Sequence, residues 1–174
     1  MGVLGLGELG SRSAQELARQ GFDVRGWSRT QKEIAGILCS SGLSELDSFL
    51  SESDILVVML PLTPQTQGLL TAERLKKLPH GASFINVSRG AIVDQPALTA
   101  ALQCGQIAEA TLDVFDREPL PPEDPLWQME NVLITPHLAS VAIPASAALQ
   151  VAENILRSMR GEPVTNQVFP ERGY

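Results

Sequence analysis

Three side chains in this sequence have the types that one reaction could share: the guanidinium of Arg89, the carboxylate of Glu118 and the imidazole of His137. Each follows a short apolar run, in Asn86-Val87-Ser88-Arg89-Gly90, in Asp113-Val114-Phe115-Asp116-Arg117-Glu118-Pro119 and in Thr135-Pro136-His137-Leu138-Ala139-Ser140. A guanidinium offers two parallel donors to a substrate carboxylate. An imidazole is the natural proton donor to a carbonyl oxygen that gains negative charge as hydride arrives. A neighbouring carboxylate favours the imidazolium form and fixes the ring orientation. A lone arginine after a strand is ordinarily a surface charge. Three complementary groups at three successive strand ends argue instead for reduction of a 2-oxo acid, provided a hydride carrier binds beside them.

The start of the chain supplies a place for that carrier. Val3-Leu4 runs directly into Gly5-Leu6-Gly7-Glu8-Leu9-Gly10, and a helical pattern follows. A glycine motif alone is weak, but a strand before it and a helix after it make a dinucleotide site. Gly5 would allow the tight turn, Gly7 the approach of a pyrophosphate to the backbone, and Gly10 close helix-on-strand packing. The pyrophosphate would sit on the helix N-terminus, facing free amides and the positive end of the dipole. The end of the second strand then separates NADP from NAD. An NAD site places Asp or Glu there for the ribose hydroxyls. This chain has Trp27-Ser28-Arg29-Thr30, with Lys32 nearby. Ser28 and Thr30 can donate hydrogen bonds to a 2′-phosphate, and Arg29 can pair with it or stack on the adenine. NADP is the expected cofactor, with NAD as the alternative.

The elements that must hold these residues alternate along the chain. Strands are expected at residues 3–4, 22–27, 55–60, 82–87, 110–114 and 132–135, and the run Ile55-Leu56-Val57-Val58-Met59-Leu60 has the continuous apolar character of a strand covered on both faces. Helices are expected at 11–20, 31–39, 44–50, 71–78, 96–104 and 144–160. The alternation implies parallel β-α-β units and an α/β, doubly wound sheet in three layers, of the Rossmann dinucleotide-binding type. Six strands would take the order 3-2-1-4-5-6. Residues 1–144 are read as the dinucleotide-binding and catalytic domain, and 145–174 as a helix and tail that would complete a substrate domain.

Composition removes several other classes. A net charge of −7 works against nucleic-acid binding. The opening Met1-Gly2-Val3-Leu4 has no basic segment before an apolar run, and the longest apolar stretch is too short for a bilayer. A soluble, cytoplasmic protein without membrane partners is expected. Cys39 and Cys104 have no metal-ligand spacing, so no metal is expected. His80, Asp94 and Asp116 read as turn residues.

The glycine motif, Leu60-Pro61-Leu62-Thr63, the Ser88-Arg89-Gly90 turn, Leu112-Asp113-Val114-Phe115 with Glu118-Pro119-Leu120, and Thr135-Pro136-His137 together resemble the D-2-hydroxyacid dehydrogenases, in the same order along the chain. Trp27-Ser28-Arg29 and Pro125-Leu126-Trp127 look most like the glyoxylate/hydroxypyruvate reductase branch. The resemblance implies Arg89 as substrate binder, Glu118 as the partner of the histidine and His137 as general acid/base. It also implies that Asp113 contacts the nicotinamide carboxamide. Pro61 and Thr66 would line the cofactor cleft, with Leu60, Val87, Ser88, Arg89 and His137 beside them. Family members carry a further N-terminal domain that closes over the substrate, and they associate as homodimers. Here Leu149, Val151, Ile155 and Met159 would lack that cover. The β-hydroxyacid dehydrogenases open similarly, but they rely on a lysine from a helical domain for which this chain has no room. A dinucleotide-binding module without turnover, a fragment or a cofactor-sensing partner, remains the alternative from another class.

Overall fold

The structure is a computed structural model and describes residues 1–169; the last five positions of the tail expected at 145–174 lie outside the described residues. Seven strands form one parallel sheet: β1 (Gly2–Leu4), β2 (Arg25–Ser28), β3 (Leu38–Ser41), β4 (Ile55–Val58), β5 (Ala82–Asn86), β6 (Ile107–Leu112) and β7 (Val132–Ile134). Their order across the sheet is β3-β2-β1-β4-β5-β6-β7, with every neighbouring pair parallel. The helices are α1 (Glu8–Arg19), α2 (Gly42–Ser51), α3 (Ala72–Leu75), α4 (Gln95–Gln103) and α5 (Pro144–Met159), with short 3-10 turns at Gly90–Ile92 and Pro125–Gln128.

Side-chain alternation along each strand divides the interior in two. Val3 packs with Leu6, Ala14, Val24 and Ile37 on the face covered by α1. Leu4, one residue on, joins Leu56, Val58 and Phe84 on the opposite face, under α2, α3 and α4. Helices on both faces of a parallel sheet are the doubly wound arrangement that the alternation implies.

One expected element is corrected. Residues 31–39 are not a helix, and their end, Leu38–Ser41, is a third strand pairing with β2. The sheet therefore has seven strands instead of six. Ile34 and Ile37 are three apart, which fits one face of a helix, but here they close a tight turn. Ile37 N–H donates to the Ile34 carbonyl at 3.0 Å, and Gly36 takes φ +78°. That left-handed glycine interrupts a helix and lets the chain swing onto the sheet edge. Other differences are at boundaries: α1 starts at Glu8 instead of residue 11, β2 starts at Arg25 instead of 22, and β6 starts at Ile107 instead of 110. None of the residues of α5 is buried, and Leu149, Val151, Ile155 and Met159 are all exposed.

The first turn is built around missing side chains. Gly5 has φ +116°, and a Cβ there would lie 2.7 Å from the Met59 carbonyl carbon. A Cβ on Gly10 would lie 1.8 Å from the Gly5 carbonyl oxygen. Helix α1 can thus pack on β1 only without a side chain at this point. Gly10→Ala is expected to cost roughly 1–3 kcal/mol through overpacking and to lower Tm by about 2–10 °C in a domain of this size. Gly7→Ala meets nothing within 4 Å and loses only the preference for glycine over alanine at a helix N-cap, so its Tm should fall by less than that of Gly10→Ala; equal melts for both variants would refute this packing account.

Candidate active site

The candidate cofactor and catalytic residues lie at or beyond the C-terminal ends of the parallel strands. At the end of β1, Gly5, Leu6 and Gly10 are buried while Gly7, Glu8 and Leu9 face solvent. The Leu6 side chain belongs to the core, where it fills the space a Cβ on Gly26 would need. Only its backbone can face a ligand. Gly7 caps α1 without any side-chain hydrogen bond, and no atom crowds the position of its absent Cβ. The first helical bond runs from Ser11 N–H to the Gly7 carbonyl at 2.9 Å, so the amides of Glu8, Leu9 and Gly10 have no acceptor within the helix. An uncapped helix end with an open glycine beside it fits a pyrophosphate.

At the end of β2, Ser28 is buried and its hydroxyl donates to the Thr30 carbonyl at 2.6 Å. This bond bends the chain so that Arg29 and Thr30 project into solvent. Ser28 therefore shapes the turn, and the exposed side chains beyond it are the ones a 2′-phosphate would meet. At the end of β4, Leu60 is in the core and Pro61 is half-buried. The Thr66 hydroxyl donates to the Pro61 carbonyl at 2.6 Å and accepts from Thr63 N–H at 2.8 Å. It closes the loop that forms this wall of the cleft.

Arg89 follows β5. Its loop is tied by the fully buried Asn86, which sequence reasoning had quoted without giving it a role. The Asn86 side-chain amide donates to the Arg89 carbonyl at 3.1 Å, and its oxygen accepts from both the amide and the hydroxyl of Ser88. Val87 is half-buried beside it. Arg89 Nη1 donates to the Ser88 carbonyl at 2.6 Å, while the rest of its exposed guanidinium has no partner among the described residues. Gly90 likewise shows no role in the sequence. A Cβ on it would lie 1.8 Å from the Phe115 carbonyl carbon, so the Arg89 loop lies directly on the Glu118 loop.

The imidazole and the second carboxylate meet across the next two strand ends. His137 Nδ1 lies 2.7 Å from Glu118 Oε2, and the other carboxylate oxygen, Oε1, accepts from Phe115 N–H at 2.9 Å. Burial works against the charged form of Glu118, but these donors and the positive fields of His137 and Arg89 hold its carboxyl below the ordinary value. Arg89 and His137 thus both act electrostatically on Glu118. His137 has φ +53°, a left-handed backbone uncommon for a residue with a side chain. Its Nε2 has no partner among the described residues and is the ring atom left to meet a ligand.

Asp113 is nearly fully buried. Its Oδ1 accepts from the Thr135 hydroxyl at 2.5 Å and from Leu138 N–H at 3.0 Å, and its Oδ2 accepts from Ala139 N–H at 2.9 Å. Burial would raise its pKa, but these three hydrogen bonds, with the field of His137, bring it below the ordinary value. Asp94 caps α4 by accepting from Ala97 N–H, and His80 lies in an exposed turn before β5, at the opposite edge of the sheet. Trp127 is half-exposed and its indole N–H donates to the Pro121 carbonyl, so it is not a core side chain.

This arrangement has known counterparts. Residues 1–139 match the family described as D-isomer specific 2-hydroxyacid dehydrogenase, NAD binding domain. This chain belongs to that family. Its similar solved structures include a D-isomer specific 2-hydroxyacid dehydrogenase from Xanthobacter autotrophicus Py2 in complex with NADPH and MES, 65% identical with a TM-score of 0.98. The match covers 100% of this chain and 72% of that one. A probable 2-hydroxyacid dehydrogenase from Rhizobium etli CFN 42, in complex with NADP, HEPES and L(+)-tartaric acid, is 42% identical with a TM-score of 0.93, over 99% of this chain and 56% of that one. An NADPH-dependent glyoxylate/hydroxypyruvate reductase from Sinorhizobium meliloti, in complex with NADP and sulfate, is 38% identical with a TM-score of 0.94, again over 99% and 56%. The chain therefore spans little more than half the length of two of these dehydrogenases.

Both carboxyls of this dehydrogenase domain have a simple pH consequence. Their folded values lie below the ordinary 3.8 for Asp113 and 4.5 for Glu118, so their contribution to stability is full above those values and is lost as pH falls through the lower folded ones. Denaturant unfolding from about pH 6 down to about pH 3 should show a steady fall in the midpoint below the ordinary range. Asp113→Asn should be less stable at neutral pH and flatter below it; an unchanged slope would remove Asp113 from this account.

Proposed function

We propose that this chain is the dinucleotide-binding and catalytic part of a reductase that prefers NADP and converts a small 2-oxo acid, of the glyoxylate or hydroxypyruvate kind, to the D-2-hydroxy acid. The observation that carries the reading is the pairing of His137 Nδ1 with Glu118 at 2.7 Å, which leaves Nε2 without a partner among the described residues, while Arg89 lies close enough to act on the same carboxylate. A bound reduced nicotinamide dinucleotide supplies the hydride. The other tasks fall to the chain.

Arg89 holds the substrate carboxylate with the guanidinium nitrogens that the Ser88 carbonyl does not use. That contact turns the 2-oxo group toward the cofactor cleft. His137 gives a proton from Nε2 to the carbonyl oxygen as charge develops there. Glu118 keeps the ring in place through Nδ1 and stabilises the positive imidazolium before the transfer. The amides at the start of α1, with Gly7, receive the pyrophosphate, and the turn after β2 receives the adenosine end. Asp113, Pro61, Thr66, Leu60, Val87 and Ser88 form the nicotinamide side of the cleft in this reading.

NADP preference rests on the absence of a carboxylate at Ser28-Arg29-Thr30 and on the exposure of Arg29 and Thr30. The NADP and NADPH present in the Rhizobium, Sinorhizobium and Xanthobacter structures support it. We read residues 1–144 as the dinucleotide-binding and catalytic unit, and residues 145–174, which hold α5 after its first residue Pro144, as the part that completes a substrate domain. The uncovered apolar side chains of α5 support that division. We further read the working protein as a homodimer. Among the described residues no helix is long and apolar enough to cross a membrane.

Binding and turnover test different parts of this reading. NADPH should bind more tightly than NADH, and Arg29→Ala should weaken NADPH by about ten- to a hundredfold, the scale of a hydrogen bond between charged groups, while leaving NADH nearly unchanged. Consumption of NADPH with glyoxylate should disappear in His137→Gln although the cofactor still binds. Tighter binding of NADH would overturn the cofactor assignment. Binding of NADPH with no consumption by the wild type would identify a non-catalytic binding module.

A further inference from the structure

The imidazole of His137 needs more than its carboxylate partner, because its backbone is held in an uncommon conformation by contacts behind the ring. Thr135 continues the sheet, its N–H donating to the Leu112 carbonyl at 3.0 Å. Pro136 then has no N–H to offer, and His137 N–H turns back to the Thr135 carbonyl at 3.1 Å. The next two amides, of Leu138 and Ala139, point at the Asp113 carboxylate from beyond the histidine. The Thr135 hydroxyl reaches the same carboxylate from before it. The segment 135–139 is thus fastened on both sides of His137 to a single buried charge. A left-handed residue with a Cβ persists only where its surroundings over-determine it, and these three bonds do so.

We propose that Thr135 is a positioning residue for His137: its hydroxyl, held on the buried Asp113 carboxylate, fixes the loop that aims the imidazole at Glu118. The proposal rests on the reading of His137 as the proton donor. The geometry behind it is more general, since one segment organises both members of the pair. Asp113 fastens the loop of His137, and Phe115, two residues later, donates its N–H to Glu118. Displacement of this strand end would move the ring and its carboxylate together. Loss of the Thr135 hydroxyl removes one of only two donors on Asp113 Oδ1. The carboxylate would then rotate or admit water, and the two amides would lose their common acceptor.

Two variants and their conservative partner test this. Thr135→Val replaces the hydroxyl by a methyl group, and Thr135→Ala removes it while leaving room for water, so the second decides the matter if the first folds poorly. Thr135→Ser keeps the donor. The chain has two histidines, so the His137 ring proton on Nδ1 can be followed by NMR with His80 as internal reference. In the valine and alanine variants the downfield Nδ1 proton signal should be lost, and the amides of Leu138 and Ala139 should exchange on the order of tenfold faster, the scale of one lost hydrogen bond to a charged group. Serine should restore both. NADPH affinity should stay within about twofold, and kcat with glyoxylate should fall while KM changes little. Retention of the Nδ1 signal and of exchange protection without the hydroxyl overturns the proposal. If those signals behave as described but the wild type does not reduce glyoxylate, the positioning role stands and the catalytic reading fails.

Discussion

A parallel ladder ends by leaving polar backbone at the edge of a dry interior, and every feature of this site answers that constraint. Among the described residues six polar side chains are buried: Ser28, Ser53, Thr63, Asn86, Ser88 and Asp113. All but Ser53 lie at or just beyond the C-terminal end of a strand, and each of those five belongs to a loop of the candidate site. Buried polar groups are costly without partners, and among the described residues no buried side-chain nitrogen or oxygen lacks one. The same hydrogen bonds that satisfy the strand ends therefore fix the loops that carry Arg29, Arg89, Glu118 and His137. Rigidity of the site follows from the closing of the sheet, without separate structural provision.

Two carboxylates share this edge and do different work because their donors differ. Asp113 is surrounded by a hydroxyl and two backbone amides, all from the segment that follows the neighbouring strand β7. Glu118 has one oxygen on a backbone amide and the other on an imidazole that can change its charge. Both are acidified, yet only Glu118 is coupled directly to a titrating partner by a short hydrogen bond. The first holds a loop and the second holds a ring. A reading that ranked carboxylates by burial alone would choose Asp113, which is the more buried of the two; a ranking by partner chemistry chooses Glu118.

Much of this was legible in the sequence where a residue type has one dominant physical reason to be present. The three glycines of the first turn separate cleanly: Gly5 with a positive φ, Gly10 with no room for a Cβ, Gly7 with open space. The apolar run that gives β4 and the order of the Arg89, Glu118 and His137 loops could be read in the same way. Residues 31–41 could not. The β3 strand is four residues long, lies at the sheet edge, and exposes Leu38, so it has neither the apolar continuity of a central strand nor a clean alternation. Ile34 and Ile37 then imitate a helical face. Spacing cannot separate a turn from a helix at that length, and only the left-handed Gly36 decides it.

The candidate site was legible in its charged and ionisable groups and silent in their supports, for a reason that generalises. Arg89, Glu118 and His137 carry chemistry in their side-chain types. Asn86, Gly90 and Thr135 act through who their neighbours are, and those neighbours lie on other strands. Gly90 needs to be small only because Phe115, on the adjacent loop, passes through the space of its Cβ. Thr135 matters only because the register of β6 against β7, Leu112 beside Ile134, brings its hydroxyl to Asp113. Pairing of strands is the information that a single sequence holds least openly. Once the register is known, a threonine, an asparagine and a glycine that look like ordinary strand-end residues become the parts that hold the loops of Arg89 and His137 in place.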